Sequence, residues 1–190
     1  MAVFIGGPSC SSSPPPPPPA PAGPPELRPR ETFDWTGEKI SFAIPPVGWR
    51  REGETSGGIK GARFVKERSV GEAIGLGDYY ILADRNRSTP LESSQLSFSL
   101  GDVIDRVEFK PEKRQNPEWY RMLGRRDATI AGQPAVIVDY TVKVPERPHT
   151  YSAREVYFVR NSHLFVCTFI GLPESLEVFE MILASIEFPN

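Results

Sequence analysis

His163 and Cys167 are the first residues to weigh for chemistry, because an imidazole and a thiol can share a metal or act together as base and nucleophile. Cys167 lies inside an apolar run, Leu164 to Ile170, and His163 opens the strand, His163 to Gly171, that this run predicts. Four strand steps span about 13 Å, too far for both side chains to serve one metal or one substrate. His149 falls in a proline-flanked loop and has no partner readable from the sequence. Asp139 and Glu155, on adjacent predicted strands, could approach each other as the paired acids of a hydrolase do. Val136, Val138, Tyr140 and Val142 supply the alternate, apolar face of Asp139's strand. That pattern sends the two acids to solvent or to arginines such as Arg154. The expectation is no catalytic residue, no metal and no cofactor.

Two further stretches carry suggestive residue types. Gly57-Gly58-Ile59-Lys60-Gly61 is glycine-rich, but it lacks the spacing and the strand-loop-helix setting that cradle phosphates. A hairpin tip accounts for it. From Lys110 to Arg126, basic side chains (Lys113, Arg114, Arg121, Arg125 and Arg126) interleave with Trp119 and Tyr120. Arginine and aromatic residues are the side chains that most often anchor protein interfaces. Broken by Pro111 and Pro117, the stretch from Glu108 reads as an exposed, charged loop and is the candidate protein-binding surface. The chain is net −2, and Glu112 and Glu118 are interspersed, so nucleic acid is not an expected partner.

The elements that would position these groups follow from hydrophobic period. Ile40, Phe42 and Ile44 alternate with Ser41 and Ala43, a half-buried strand stopped by Pro45-Pro46 and followed by a turn at Gly48-Trp49. Ala62 to Arg68 and Tyr79 to Leu82 are further strand candidates, linked through Val70 to Asp78. Leu96, Leu100, Val103, Ile104 and Val107 line one face of a helix. Three strong strands follow: one reaching Val144 from Ala128 or Gln133, then Ser152 to Arg160 and His163 to Gly171. They predict an antiparallel meander with a two-residue turn at Asn161-Ser162. Pro173 opens a last helix whose stripe is Leu176, Phe179, Ile182, Leu183 and Ile186. Strands, helix, meander and helix make an α+β domain, an antiparallel sheet with packed helices.

The first thirty-two residues are different. Six prolines in a row, preceded by serines and followed by further prolines, cannot pack a core and predict an extended polyproline II spacer. The fold is expected to begin near Phe33, with residues 1–32 as a disordered tether and 33–190 as a single domain. The 39% hydrophobic content sits below the ordinary globular range of about 45–50%, largely because of this arm. Pro8-Ser9-Cys10-Ser11 after a short apolar stub resembles the end of a bacterial lipoprotein signal, with Cys10 as the lipidation candidate. The stub has no basic segment and is shorter than the roughly 7–15 apolar residues of such signals; an upstream start codon would supply both. A lipid anchor at Cys10 and a plain disordered tail are the two readings of the arm. No other stretch reaches the ~18 apolar residues of a membrane span, so any membrane contact is expected through Cys10.

Taken in order, Ile40-Ser41-Phe42-Ala43-Ile44-Pro45 with Gly48-Trp49, then Ile130-Ala131-Gly132-Gln133-Pro134-Ala135, then a hairpin and a closing helix ending Ala184-Ser185-Ile186-Glu187-Phe188, resemble the PsbP-like α/β/α sandwich. The resemblance covers about residues 33–188 and includes DcrB-like bacterial proteins and small lipoproteins. It implies that fold, and it implies a binding, assembly or chaperone role without shared catalytic residues. The expected function is therefore a non-catalytic, exported binding or assembly-support protein with an unknown protein partner, anchored in the cell envelope. The alternative is a cytosolic DcrB-like chaperone or adaptor for secreted proteins.

Overall fold

The computed structural model describes residues 25–35, 37–52, 55–56, 59–69, 71–79, 116–145, 147–161 and 163–189. The first element is a strand, β1 (Arg28–Trp35), paired antiparallel with β2 (Glu38–Ile44) in a two-stranded ribbon, Phe33 opposite Ile40. It starts five residues ahead of Phe33, within the stretch that composition assigns to the tether. Pro29 is accommodated because it lies in a bulge between Arg28 and Arg30, where a proline interrupts no regular ladder bond. Only Phe33 and Trp35 of β1 are buried, a signal too short to outweigh the prolines. The β2 strand is buried from Ile40 through Ile44, more than the half-burial that alternation predicts. Its far side is closed by the chain's end: Ser41 and Glu187 exchange both backbone hydrogen bonds, each 2.8 Å.

The remaining strands make one eight-stranded antiparallel sheet: β3 (Trp49–Arg51), β4 (Thr55–Ser56), β5 (Ile59–Lys66), β6 (Ala73–Tyr79), β7 (Tyr120–Ile130), β8 (Gln133–Val142), β9 (Tyr151–Arg160) and β10 (His163–Gly171). The spatial order is β3-β5-β6-β10-β9-β8-β7, with β4 paired to β5. The expected meander is present as β8-β9-β10, and β7 extends it. Ala131 and Gly132, at φ 49° and 78°, turn β7 into β8, and Asn161, at φ 46°, begins the β9–β10 turn. Two successive positive-φ residues give the twist that matches a hairpin.

Two strand assignments differ from the periodicity. Residues 73–79 form β6, where the glycines suggest only a link; Tyr80 to Leu82 lie outside the described residues. Gly75 sits opposite Thr168 of β10, and a Cβ there would lie 2.8 Å from the Thr168 hydroxyl. The glycine serves close strand packing while Ile74 and Leu76 enter the core. Tyr120–Ile130 is likewise a strand, not the end of a loop. Its charged residues hide the pattern because seven consecutive positions, 121–127, are exposed.

One face of the sheet carries the main core, with Phe64, Ile74, Ile137, Phe158, Phe165 and Phe169 packed beneath the ribbon and the helix α1 (Leu176–Ala184). Pro173–Ser175 forms a 3-10 turn leading into α1, and Phe179, Ile182, Leu183 and Ile186 are buried as their spacing predicts. Ser185 accepts the Ala43 N–H at 2.8 Å. Phe188 meets Phe165 edge-on at 5.3 Å. The opposite face has its own buried cluster, including Val136, Val138, Tyr140, Tyr157, Leu164 and Val166. Among the described residues the architecture is thus an antiparallel sheet with one α-helix, more sheet-dominated than the sheet with two packed helices expected. The predicted helix at Leu96 to Val107 lies outside the described residues.

Candidate functional site

The basic and aromatic candidates are distributed by the geometry of β7. Trp119 ends a 3-10 turn, Pro117–Trp119, and its carbonyl accepts the Lys143 N–H at 2.8 Å. Tyr120 faces Val142 and packs against the second core cluster, so it anchors the strand. Beyond it, pairing puts Arg121 opposite Thr141, Arg125 opposite Val138 and Arg126 opposite Ile137. Directly paired residues share a face. Arg121 and Arg126 therefore lie on the α1 side, and Arg125 lies on the other. The ladder shifts register between Met122 and Gly124, and at this bulge Met122 and Leu123 are 62% and 61% exposed. Lys113 and Arg114 fall outside the described residues, as does Cys10.

On the α1 side β7 joins a chain of charges. Arg126 bonds Asp139, Asp139 accepts from Arg154 Nε at 2.6 Å, and Arg154 reaches Glu180 on the helix. Burial opposes the Arg154 charge, but Asp139 and Glu180 outweigh it and hold the guanidinium above its ordinary pKa. A depression of about 300 Å3 lies beside the bulge, with Leu123, Gly124, Asp139, Arg154 and Leu176 in its lining.

Asp139 and Glu155 do not pair with each other, as the strand pattern predicts. Asp139 pairs with arginines on the α1 side, as the sequence suggests, whereas Glu155 lies on the other face at 2% exposure, not in solvent. It accepts a hydrogen bond from the Tyr157 hydroxyl at 2.8 Å. Burial, then the Glu155 charge, push the Tyr157 pKa well above its usual value. Cys167 is buried in the main core, and burial pushes its thiol up to about 12, which makes it a small hydrophobe at neutral pH. His163, on the same strand, lies 6.4 Å ring to ring from Phe165, and His149 is exposed. Among the described residues no group of three or more His, Cys, Asp or Glu could hold a metal. Gly57 and Gly58 lie outside the described residues, but β4 and β5 on either side pair Ser56 with Ile59, as a hairpin requires.

One polar cluster escaped the sequence reading. Lys66 Nζ donates to Ser175 Oγ at 2.8 Å, the arrangement of a serine–lysine nucleophile. Glu72, 1% exposed, lies 3.3 Å from the same ammonium and accepts from Ser69 Oγ at 2.6 Å. Burial works against the Glu72 charge, yet Ser175, Ser69 and Lys66 together hold its pKa below the ordinary value. The Glu72 carboxylate so placed forms an ion pair with Lys66. The cluster ties β5, the β5–β6 turn and the approach to α1 together; Lys66 and Ser69 lie near Glu72 in sequence, but Ser175 joins them from 109 residues beyond Lys66.

Neither a protein-family model nor a curated protein matches the sequence. Solved structures do. The solution structure of cyanobacterial PsbP (CyanoP) from Synechocystis sp. PCC 6803 matches with a TM-score of 0.51 and 12% identity, over 90% of this chain and 98% of that one. LpqN of Mycobacterium tuberculosis, described as involved in cell envelope biogenesis, matches with a TM-score of 0.47 and 12% identity, over 84% and 91% of the two chains. The fold is PsbP-like, as the sequence resemblance implies.

Proposed function

We propose, with the PsbP-like fold as the premise, that this chain is a non-catalytic binding or assembly-support protein of a bacterial cell envelope, lipidated at Cys10 and spaced from the membrane by its proline-rich arm. The observation that carries the reading is the exposed strand Tyr120–Ile130, which sets Arg121, Arg125 and Arg126 beside the solvent-facing Met122 and Leu123. A shared fold says little about role, so the surface has to carry the argument. Trp119 and Tyr120 anchor the start of that surface, and Lys113 and Arg114 complete the set of residues that this reading assigns to binding. The buried acids and the thiol support a non-catalytic role because each is engaged in packing or in a local hydrogen bond.

In finer detail the domain is an α/β/α sandwich. The second face carries buried valines and tyrosines, the burial that a third layer provides. No helix among the described residues is long and apolar enough to cross a membrane, so the membrane attachment in this reading rests on the lipid.

Fractionation of cells of the source organism tests the anchor. Full-length protein should appear in the membrane fraction, with lipid mass on the peptide beginning at Cys10, and Cys10→Ala should release it to the soluble fraction. A native protein that is soluble and unmodified would overturn the anchor and favour the cytosolic adaptor.

A further inference from the structure

The geometry points to a socket beside the β7 bulge: we propose that the depression over Asp139 and Arg154 takes one tyrosine side chain of a protein partner, its ring against Leu123 and Leu176 and its hydroxyl on Asp139. This rests on the binding role proposed above and names one of its contacts.

The socket follows from the register. Residues paired directly across strands share a face, so Gly124, Asp139, Arg154 and Phe169 stand in one row on the α1 side of the sheet. Phe169 fills its end of the row by stacking on Phe179 of α1 at 5.7 Å. Gly124, at the other end, puts no side chain beside Asp139, and a Cβ built there would meet nothing within 4 Å. The depression of about 300 Å3 opens at that position, with Ser152 also in its lining.

Size, charge and exposure select the occupant. Sites for drug-sized ligands run from about 300 to 1,000 Å3, so a depression at the lower limit and open to solvent suits a single side chain better than a whole small molecule. Its floor is electrically balanced: Arg126 and Arg154 both bond Asp139, and Arg154 also bonds Glu180. An incoming anion would have to displace one of these carboxylates, and an incoming cation one of these arginines. A neutral group displaces neither. Each Asp139 oxygen accepts one guanidinium hydrogen bond, and a carboxylate offers about four lone-pair sites in all, so a neutral hydroxyl can donate there without breaking the chain of charges. Leu123 stands 61% exposed at the rim, and Leu176, the first residue of α1, lines the same depression. They are two aliphatic surfaces for a flat ring. Tyrosine alone joins a single apolar ring to a hydroxyl at its tip, and it is among the residue types that anchor protein interfaces by entering pockets.

NMR titration of the isotope-labelled full-length chain with N-acetyl-tyrosinamide tests the socket, with N-acetyl-phenylalaninamide as the ring without a hydroxyl and tyramine as a charged phenol. The tyrosine compound should shift the amides of Leu123, Gly124 and Leu176 in a saturable way. The phenylalanine compound should bind at least about fivefold more weakly, because a hydrogen bond to a charged acceptor is missing. Gly124→Leu should abolish the shifts by filling the depression. The new Cβ has room, and a glycine inside a strand weakens it, so the unfolding midpoint of this variant should not fall. In affinity capture from native extract, Gly124→Leu should recover at least about tenfold less of the partners that wild type recovers, the effect of removing one anchor contact.

Shifts confined to other parts of the domain, unchanged binding by Gly124→Leu, or equal or tighter binding of the phenylalanine compound or of tyramine would overturn the socket. A dimer by light scattering that Gly124→Leu abolishes would assign the depression to a second copy and overturn it too. If wild type and Gly124→Leu capture the same partners equally, the binding role stands and only the socket falls. If wild type captures no natural partner, the binding role falls with it.

Discussion

Phe42→Ala should lower the unfolding free energy by about 3–5 kcal/mol, the usual cost of emptying a buried phenylalanine site. Phe42 is fully buried and joins two sheets: it stacks on Phe33 of β1 at 4.7 Å, lies 6.1 Å from Trp35, and meets Phe64 of β5 edge-on at 6.5 Å. Removing the ring takes away the ribbon's contact with Phe64 of the large sheet. In a folded unit of this size each kcal/mol lowers the midpoint by roughly 2–4 °C, so the thermal midpoint should fall by about 6–20 °C. Phe42→Leu, which nearly conserves volume, should cost under about 1.5 kcal/mol. Urea denaturation of both variants measures this directly. A loss below about 1 kcal/mol for Phe42→Ala would mean that the ribbon does not depend on this cluster. The consequence reaches the first described strand, because the ribbon begins at Arg28.

Glu72→Ala should cost about 2–4 kcal/mol, since it leaves the half-buried Ser69 hydroxyl, the buried Ser175 hydroxyl and the Lys66 ammonium short of a partner. The figure sits at the lower end for a broken buried pair because the Lys66 side chain is 34% exposed and can turn to water. Glu72→Gln separates charge from shape and predicts the pH dependence. The folded pKa of Glu72 lies below its ordinary value of 4.5, so the unfolded chain takes up the proton first as pH falls. The stabilisation is therefore complete well above pH 4.5 and declines as pH drops through that value toward the depressed native pKa. Wild type should exceed Glu72→Gln in stability at neutral pH, and the gap should close on acidification. A gap that widens toward low pH would reverse the assigned sign.

Local pattern was enough for the meander and the last helix. There the apolar residues alternate or recur at helical spacing, and turn residues such as Asn161 stand where positive φ is needed. Pattern failed where composition masked it. β1 hides behind Pro29 and has only two inward residues; β6 hides behind glycines that serve close packing against Thr168; β7 hides because its side chains are charged and exposed. The residue types of the candidate surface were readable, but their placement on an edge strand was not, because edge position depends on which strands pair. Glu155 shows the same limit from the other side. Its charge predicts solvent, and only the Tyr157 hydroxyl beside it explains its place on a buried face.

The claim that this domain works by binding through β7 is tested most directly by quantitative affinity capture. Full-length wild type and Arg121→Glu/Arg125→Glu, immobilised at equal density, are exposed to the same native extract, and the recovered proteins are measured by mass spectrometry. Substitutions at such exposed positions should change stability by no more than about 0.5 kcal/mol, so a difference in recovery reports on the surface. The account predicts partners recovered by wild type and reduced at least tenfold by the variant. Recovery of the same partners in equal amounts would contradict it.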